Sequence, residues 1–355
     1  MRFLQGLLGG LGGAAAMLVL GAARVHDASA WPFLLFFPLL LAVVVLHEAG
    51  HLVGAACAGA RILGASVGPL HVERRRRGVR IRWRSGRRGT AGVAIAIPDF
   101  SRPVRRQMLL YVAAGPLANL LAAAILVPLA WPVPQQAQTL AQAAGLAFGV
   151  LNAAIGIANL VPRRRFTASD GWLLVHWWRQ DAEVEAARRV LQAFDQSLRG
   201  MPASDVPPDQ LAWFESRGEI GMRFFGRYIA LRAAQQRGDD EAFACVLARC
   251  EQELARVDAA TYAQLRPTWA CFQIEQAFER ARRGQPGPSL VDAALLRAVQ
   301  PYLRHRLAAA EAKARGDVAA CLREIGKAER DLGGVLDAAA RKAEFALLDG
   351  LRPAP

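Results

Sequence analysis

Two histidines and a glutamate stand close together near residue 50, in the pattern His47-Glu48-Ala49-Gly50-His51. In a helix, His47 and His51 are about one turn apart on one face, so both imidazoles can bind a single metal ion. The glutamate between them reaches a water molecule beside that metal and can act as a general base. The pattern predicts one Zn²⁺ per chain and the chemistry of metal-assisted hydrolysis.

A catalytic zinc usually has three protein ligands and one open position, so a third ligand is needed. Residues 1–180 contain few acids, namely Asp27, Glu48, Glu73, Asp99 and Asp170. Asp170 follows the last apolar segment on the side of the membrane expected for His51, which makes it the candidate. It could instead cap the helix predicted over 172–178, and His71 and His176 are alternative ligands.

Long apolar stretches surround these residues, and 53% of the chain is hydrophobic. Four segments are long enough to cross a hydrocarbon core of about 30 Å; they cover 3–23, 31–60, 108–133 and 139–161. The histidine pattern falls in the second segment, where ionisable side chains usually have a functional reason. Ala28-Ser29-Ala30 would suit cleavage of a signal peptide, but the length of the first segment favours a retained helix.

Charge divides the chain into two parts. Residues 1–180 carry 19 Arg and 5 acids, whereas residues 181–355 carry 25 Lys and Arg and 25 acids. The arginines of the first part lie in short loops beside apolar segments, which indicates membrane topology rather than nucleic-acid binding. The loop between the second and third segments is therefore expected in the cytoplasm, as are the amino terminus and Arg163-Arg164-Arg165. The uncharged stretch 132–138 is expected outside, and a bacterial inner membrane fits this arrangement.

The arginine-rich loop contains two runs with strand character. Residues 79–84 alternate apolar and charged side chains, turn residues follow, and residues 92–97 are mostly β-branched or small. This pattern predicts a β-hairpin on the membrane surface. The hairpin could lie at the headgroup boundary or could offer a strand edge to an unwound substrate.

From about residue 181 the sequence has the mixed charge and periodicity of a soluble α-helical domain. Residues 230–239 and 308–317 resemble each other, and each ends on Arg-Gly-Asp before another amphipathic stretch. Such repeats suggest stacked helical hairpins of the tetratricopeptide kind, with a surface for a cytoplasmic protein partner or ligand. The predicted fold is an all-α polytopic membrane domain, 1–180, with a small hairpin, followed by this domain, 181–355.

Three stretches together resemble the site-2 proteases, a family of intramembrane zinc metalloproteases. They are His47-Glu48-Ala49-Gly50-His51, then Gly115-Pro116-Leu117-Ala118-Asn119, then Asn159-Leu160-Val161-Pro162 followed by Asp170-Gly171. The resemblance covers roughly residues 31–175.

By position, the resemblance implies that His47, His51 and Asp170 are the zinc ligands and that Glu48 is the general base. It also places Asn119 and Asn159 beside the active site, although each could simply hydrogen-bond between helices. Gly115-Pro116 could serve close packing or a kink.

The implied function is zinc-dependent hydrolysis of peptide bonds in or near transmembrane segments of membrane-protein substrates. Two alternatives remain. One is a membrane adaptor with a vestigial metal site, and the other is a membrane metalloprotease with a different third ligand.

Overall fold

The structure is a computed structural model, and it describes residues 11–20, 31–83, 92–131, 139–164, 168–285, 296 and 299–352. The chain divides into two compact units, Met1–Asp195 and Gln196–Pro355. Each unit is described by itself.

Four apolar helices form the frame of the first unit: α1 (Leu11–Leu20), α2 (Trp31–Ala58), α3 (Val104–Leu129) and α4 (Leu140–Leu160). Three helical stretches among the described residues are long and apolar enough to cross a membrane, and they lie in α2, α3 and α4. They correspond to the second, third and fourth predicted segments, and the protein is an integral membrane protein. Of the first predicted segment only α1 is described, and the rest of it lies outside the described residues, as does the connection 132–138.

Helix α1 packs into the membrane unit. Its Ala16 and Leu20 are buried against Val43 of α2 and against Ala147 and Leu151 of α4. An apolar helix that fills the space between two spans contributes to their packing.

Small residues bring α2 and α3 into close contact. A Cβ atom at Gly50 would lie 2.5 Å from the backbone oxygen of Ala114, and one at Gly54 would lie 2.7 Å from that of Leu110. Without apolar side chains between them, two helix backbones can approach closely in lipid. This close packing turns the face of α2 that carries His51 toward α3.

A four-stranded antiparallel sheet connects α2 to α3. Its strands are β1 (Arg61–Val67), β2 (Leu70–Arg74), β3 (Val79–Trp83) and β4 (Gly92–Ile97), in the order β3-β2-β1-β4. Both predicted runs do form strands, as β3 and β4, but the prediction that they pair as a hairpin is wrong. They lie at opposite edges because β1 and β2, which the sequence analysis missed, form the central hairpin between them.

Two further helices complete this part of the chain: α5 (Asp170–Arg179) and α6 (Ala182–Leu198). Ser169 caps α5, because its hydroxyl accepts the backbone N–H of Trp172 and donates to the oxygen of Val161 at the end of α4. The cap therefore ties the start of α5 to the end of α4. On α5, Trp177 is buried against Met108 of α3.

The second unit is helical throughout its described residues. Its elements after α6 are a short 3₁₀ turn, Ala203–Asp205, and seven helices: α7 (Pro208–Glu215), α8 (Ile220–Arg237), α9 (Asp240–Leu254), α10 (Ala259–Arg282), α11 (Pro301–Ala314), α12 (Val318–Leu332) and α13 (Ala338–Asp349). The helical fold class and a small antiparallel sheet are thus confirmed, whereas the tetratricopeptide-like architecture stays a prediction.

The two Arg-Gly-Asp sequences are the turns of two helical hairpins, α8-α9 and α11-α12. In each turn the glycine ends a helix in the left-handed region, with φ +67° at Gly238 and +77° at Gly316. The following aspartate then caps the next helix, since Asp239 accepts from Ala242 and Asp317 accepts from Ala320. Glycine tolerates this conformation without strain, and aspartate is a favoured N-cap.

A buried ionic network holds four helices of the second unit together. Arg306 of α11 is fully buried and donates to Glu275 of α10 and to Glu344 of α13. Arg232 of α8 pairs with the same two carboxylates. Removing one member would leave an uncompensated buried charge, so the network fixes how these helices pack.

Candidate metal centre

Three side chains with metal-binding atoms meet between α2 and the start of α5. The Nε2 atom of His47 lies 3.0 Å from an oxygen of Asp170 and 3.2 Å from Nε2 of His51. The Nε2 atom of His51 lies 3.5 Å from the other Asp170 oxygen. Among the described residues, this is the group whose ligand atoms are close enough to hold a metal ion.

The backbone of α3 orients the ring of His51. Nδ1 of His51 lies 2.9 Å from the backbone oxygen of Tyr111, which can only accept, so Nδ1 carries the proton and donates. In the neutral ring the lone pair is then on Nε2, and it faces His47 and Asp170. A backbone partner of this kind sets the tautomer that a metal-binding histidine needs.

The arrangement fits a zinc ion. Tetrahedral zinc with Zn–N and Zn–O bonds of about 2.0–2.1 Å separates its ligand atoms by about 3.3 Å, and the three separations here are 3.0, 3.2 and 3.5 Å. The Nε2 atoms of His47 and His51 also face each other beside a carboxylate, and Nδ1 of His47 is buried without a hydrogen-bond partner among the described residues. Two imidazoles and a carboxylate are a common ligand set of catalytic zinc sites.

Glu48 lies beside this cluster, where α2 meets β4. Its side chain is buried, with 7% of the residue exposed. A Cβ atom at Gly92 would lie 2.3 Å from a carboxylate oxygen of Glu48, so a larger residue at the start of β4 would collide with it. Gly92 therefore leaves the room that the Glu48 carboxylate occupies.

A cavity of about 540 Å³ opens on the cluster. His47, Glu48, His51 and Asp170 lie in its wall, and its apolar lining includes Leu40, Val44, Val93 and Ile155. Its volume is in the range of small-ligand sites.

Gly115 and Gly171 belong to the stretches that resemble the site-2 proteases. Each lies where a larger residue would disturb the metal cluster or the packing beside it. A Cβ atom at Gly115 would lie 2.4 Å from Nε2 of His51, and one at Gly171 would lie 1.9 Å from the backbone oxygen of Leu160. Gly115 thus gives space to an imidazole, and Gly171 lets the start of α5 approach the end of α4. Pro116, which follows Gly115 in the sequence, is buried on α3.

The two candidate asparagines differ in position. Asn159 of α4 lines the cavity together with the cluster. Asn119 of α3 is fully buried, and neither atom of its amide has a hydrogen-bond partner among the described residues. The interhelical hydrogen bond considered for Asn119 is therefore absent from this part of the chain.

The alternative ligands lie elsewhere in the described chain. His71 is on β2, where it pairs in register with Arg82, and His176 of α5 hydrogen-bonds Asp181. Neither belongs to the group that could hold a metal.

Tyr111 contacts the site twice and was not among the residues predicted from the sequence. Its carbonyl orients His51, and its hydroxyl donates to the backbone oxygen of Ala94 on β4 at 2.8 Å. A signal was available, because Tyr111 is the only tyrosine in residues 1–180 and stands inside an apolar segment. Gly92 was missed as well, and nothing in the sequence marks it.

The cluster is a candidate metal centre that includes two residues of a helix apolar enough to span a membrane, and a comparison with known families points to a membrane metallopeptidase. The family model of Peptidase family M50 matches residues 35–143. This confirms the resemblance to the site-2 proteases for that part of the chain, which includes His47, Glu48, His51 and Gly115. The match ends before Asn159 and Asp170.

No match was found among curated proteins. None was found among solved structures either.

Proposed function

We propose that the protein is an intramembrane zinc metalloendopeptidase that hydrolyses peptide bonds in or near the transmembrane segments of membrane proteins. The observation that carries the proposal is that His47 and His51, on a helix long and apolar enough to span a membrane, meet Asp170 of α5 beside Glu48. The match to Peptidase family M50 supports a membrane metallopeptidase in general.

In this proposal His47 and His51 bind the zinc through Nε2, and Asp170 binds it through its carboxylate. A zinc ion held there supplies Lewis-acid chemistry, since it polarises a peptide carbonyl and makes a water molecule acidic near neutral pH.

Glu48 is the general base and then the general acid. Its carboxylate accepts a proton from the attacking water, whose oxygen bonds to the carbonyl carbon of the substrate. Glu48 returns that proton to the leaving nitrogen when the C–N bond breaks, so the products are a carboxyl and an amine terminus. Burial of Glu48 beside β4 keeps competing water away from this transfer.

The substrate has to be extended at the cleaved bond, because the peptide bonds of a helix are shielded by their own side chains and hydrogen bonds. Strand β4 lies in the wall of the cavity and pairs with β1 on one side only, within the described chain. Its outer edge is the strand edge that could receive an unwound segment. The Tyr111 hydroxyl holds this edge beside the site through Ala94.

The alternatives receive less support. A vestigial site would have no reason to keep ligand atoms, base and cavity together. A different third ligand would have to replace Asp170, which lies 3.0 Å from His47.

The proposed setting is a bacterial inner membrane, with the amino terminus and the helical domain in the cytoplasm and a protein partner or ligand bound to that domain. The arginines on the loop between α2 and α3 support this orientation. Residues 1–180 form the catalytic domain and residues 181–355 the helical domain in this proposal.

The test uses full-length protein, reconstituted in lipid with a single-span substrate carrying a helix-breaking residue. We expect about one zinc per chain and cleavage that is lost with a chelator and restored by zinc. Glu48→Gln should keep the zinc and lower the rate by at least about 100-fold. Glu73→Gln, an acid of the same unit outside the cluster, should leave the rate unchanged. Cleavage by the zinc-free protein or by Glu48→Gln would disprove the mechanism.

A further inference from the structure

Helix α5 connects the candidate metal centre to a surface that the proposed reaction does not use. Asp170 is its first residue, and Trp178 lies eight residues later, about 12 Å further along the axis. Trp177, in the last turn of the helix, is buried against α3. Because α5 is a single helix of ten residues, a contact that holds Trp178 in place also restricts the position of Asp170.

An exposed aromatic ring and the guanidinium of an arginine meet at that far end. Trp178 is 67% exposed, and the guanidinium of Arg105 lies 4.7 Å from the centre of its ring. Arg105, Arg106 and Arg179 have no carboxylate partner among the described residues, and Nε of Arg105 is buried without a hydrogen bond. Arg105 stacked on the exposed indole, with Arg106 and Arg179 adjacent in sequence to these two residues, forms a cationic and apolar surface that fits an anionic group with an apolar chain attached.

The membrane spans place this surface at the level of the lipid headgroups. Arg105 and Arg106 stand in the first turn of α3, and α5 follows ten residues after the end of α4 at Leu160. Because α3 and α4 cross the membrane in opposite directions, the start of α3 and the end of α4 are on the same side. Tryptophan and arginine are the residues that anchor proteins at this depth.

We propose that the surface formed by Arg105, Arg106, Trp178 and Arg179 binds the headgroup of an anionic phospholipid and that this contact holds α5 in place. The binding of lipid is independent of the proposed function, whereas the effect of lipid on the metal centre rests on that function. An anionic leaflet then stabilises Asp170 in the position that completes the zinc site. The enzyme is most active where the surrounding lipid is acidic.

The experiment places full-length protein in nanodiscs of phosphatidylcholine, with or without phosphatidylglycerol. Three quantities are measured: phosphatidylglycerol retained per chain by native mass spectrometry, hydrogen exchange of the α5 amides, and the rate of zinc loss to a chelator. We compare Trp178→Ala and Arg105→Gln with Trp213→Ala and Arg217→Gln. The control pair has the same 4.7 Å stacking geometry but lies in the second unit.

In the wild type, phosphatidylglycerol should be retained, with an affinity about fivefold higher for each interfacial arginine engaged, and it should protect the α5 amides and slow zinc loss. Trp178→Ala and Arg105→Gln should lose these effects while matching the wild type in phosphatidylcholine alone, and the control pair should keep them. A variant that is merely destabilised loses zinc faster in both lipids, which would overturn the proposal.

Equal retention of phosphatidylglycerol by wild type and Trp178→Ala would also overturn it. The same effects from water-soluble glycerophosphoglycerol would show an anion site rather than a lipid-binding surface and would contradict it too. If no zinc binds at all, the proposed function fails, but lipid retention and hydrogen exchange still decide the lipid surface.

Discussion

Nδ1 of His51 lies 2.9 Å from the backbone oxygen of Tyr111, so a peptide carbonyl of α3 holds a ring that belongs to α2. The contact spans 60 residues of sequence and involves no side chain of α3. It follows that the ligand geometry of α2 depends on how closely α3 packs against it. The small residues along this interface are therefore part of the metal site.

Asp170→Ala should remove a ligand and not only a helix cap. We expect zinc affinity to fall by more than about 100-fold, the upper range for loss of an outer-sphere partner. Metal analysis after purification measures this. The matched control is Ser169→Ala, since Ser169 is the residue that caps α5. Loss of this cap costs about 1 kcal/mol of stability and should lower zinc affinity far less than Asp170→Ala does; equal zinc loss in both variants would contradict the assignment of Asp170.

Gly115→Ala should weaken zinc binding because the added methyl group would meet the His51 ring at 2.4 Å. The variant should fold and insert normally yet lose zinc to a chelator faster than the wild type. Gly145→Ala on α4 is the control, since its added methyl group would have its nearest neighbour at 3.4 Å. Unchanged zinc retention in Gly115→Ala would show that the ring can move aside.

Gly92→Ala should separate the base from the metal. The new methyl group would collide with Glu48 and not with a ligand. We expect zinc content to stay near one per chain while the rate of hydrolysis falls. Loss of zinc together with activity would mean that β4 supports the ligands as well.

The second unit should lose stability in acid through Glu253. Burial alone would raise the pKa of Glu253, but hydrogen bonds from Arg223 and Arg227 outweigh it and hold the pKa below its ordinary value. A carboxylate with a lowered folded pKa contributes stability above its unfolded pKa, about 4.3 for Glu, and loses it as the pH falls through the folded value.

Thermal unfolding of the helical domain, followed by circular dichroism from pH 7 down to about 3, measures this effect. In Glu253→Gln, the melting temperature should fall less steeply than in the wild type as the pH is lowered. Glu251→Gln, an exposed acid on the same helix, should leave this fall as in the wild type. The same fall of melting temperature with pH in the wild type and in Glu253→Gln would refute the prediction.

The orientation in the membrane can be tested with reporter fusions. Fusions near residue 90 and after residue 180 should report from the cytoplasm, and one near residue 135 from outside, because arginines flank only the first two positions. A fusion at residue 90 that reports from outside would reverse the orientation. The metal cluster would then open on the other side of the membrane.

Sequence predicted those parts of the site that are local. His47, Glu48 and His51 lie within five consecutive positions of one helix, so their spacing alone places them together. The approach of Asp170 is different, since it depends on the end of α4 and on Gly171. The sequence indicated it only indirectly, through the small number of acids in residues 1–180 and through the resemblance to a family.

The sheet shows where the alternation of apolar and charged residues does not reveal a strand. Strand β3 alternates apolar and charged residues and was recognised, whereas β1 has no alternation of burial and directly follows a long apolar helix. Strand pairing is also non-local. Two recognisable strands were therefore paired with each other, although β1 and β2 separate them. The contacts of Tyr111 depend on the same tertiary packing.

The third ligand also has a consequence for biogenesis. Asp170 follows His47 by 123 residues, and four helices with a sheet between them must be in place before the two meet. In the proposed enzyme, a nascent chain that has inserted only α2 has two histidines and a base but an incomplete ligand set. Zinc loading then comes after membrane insertion is finished, and a half-assembled protease cannot cut its neighbours.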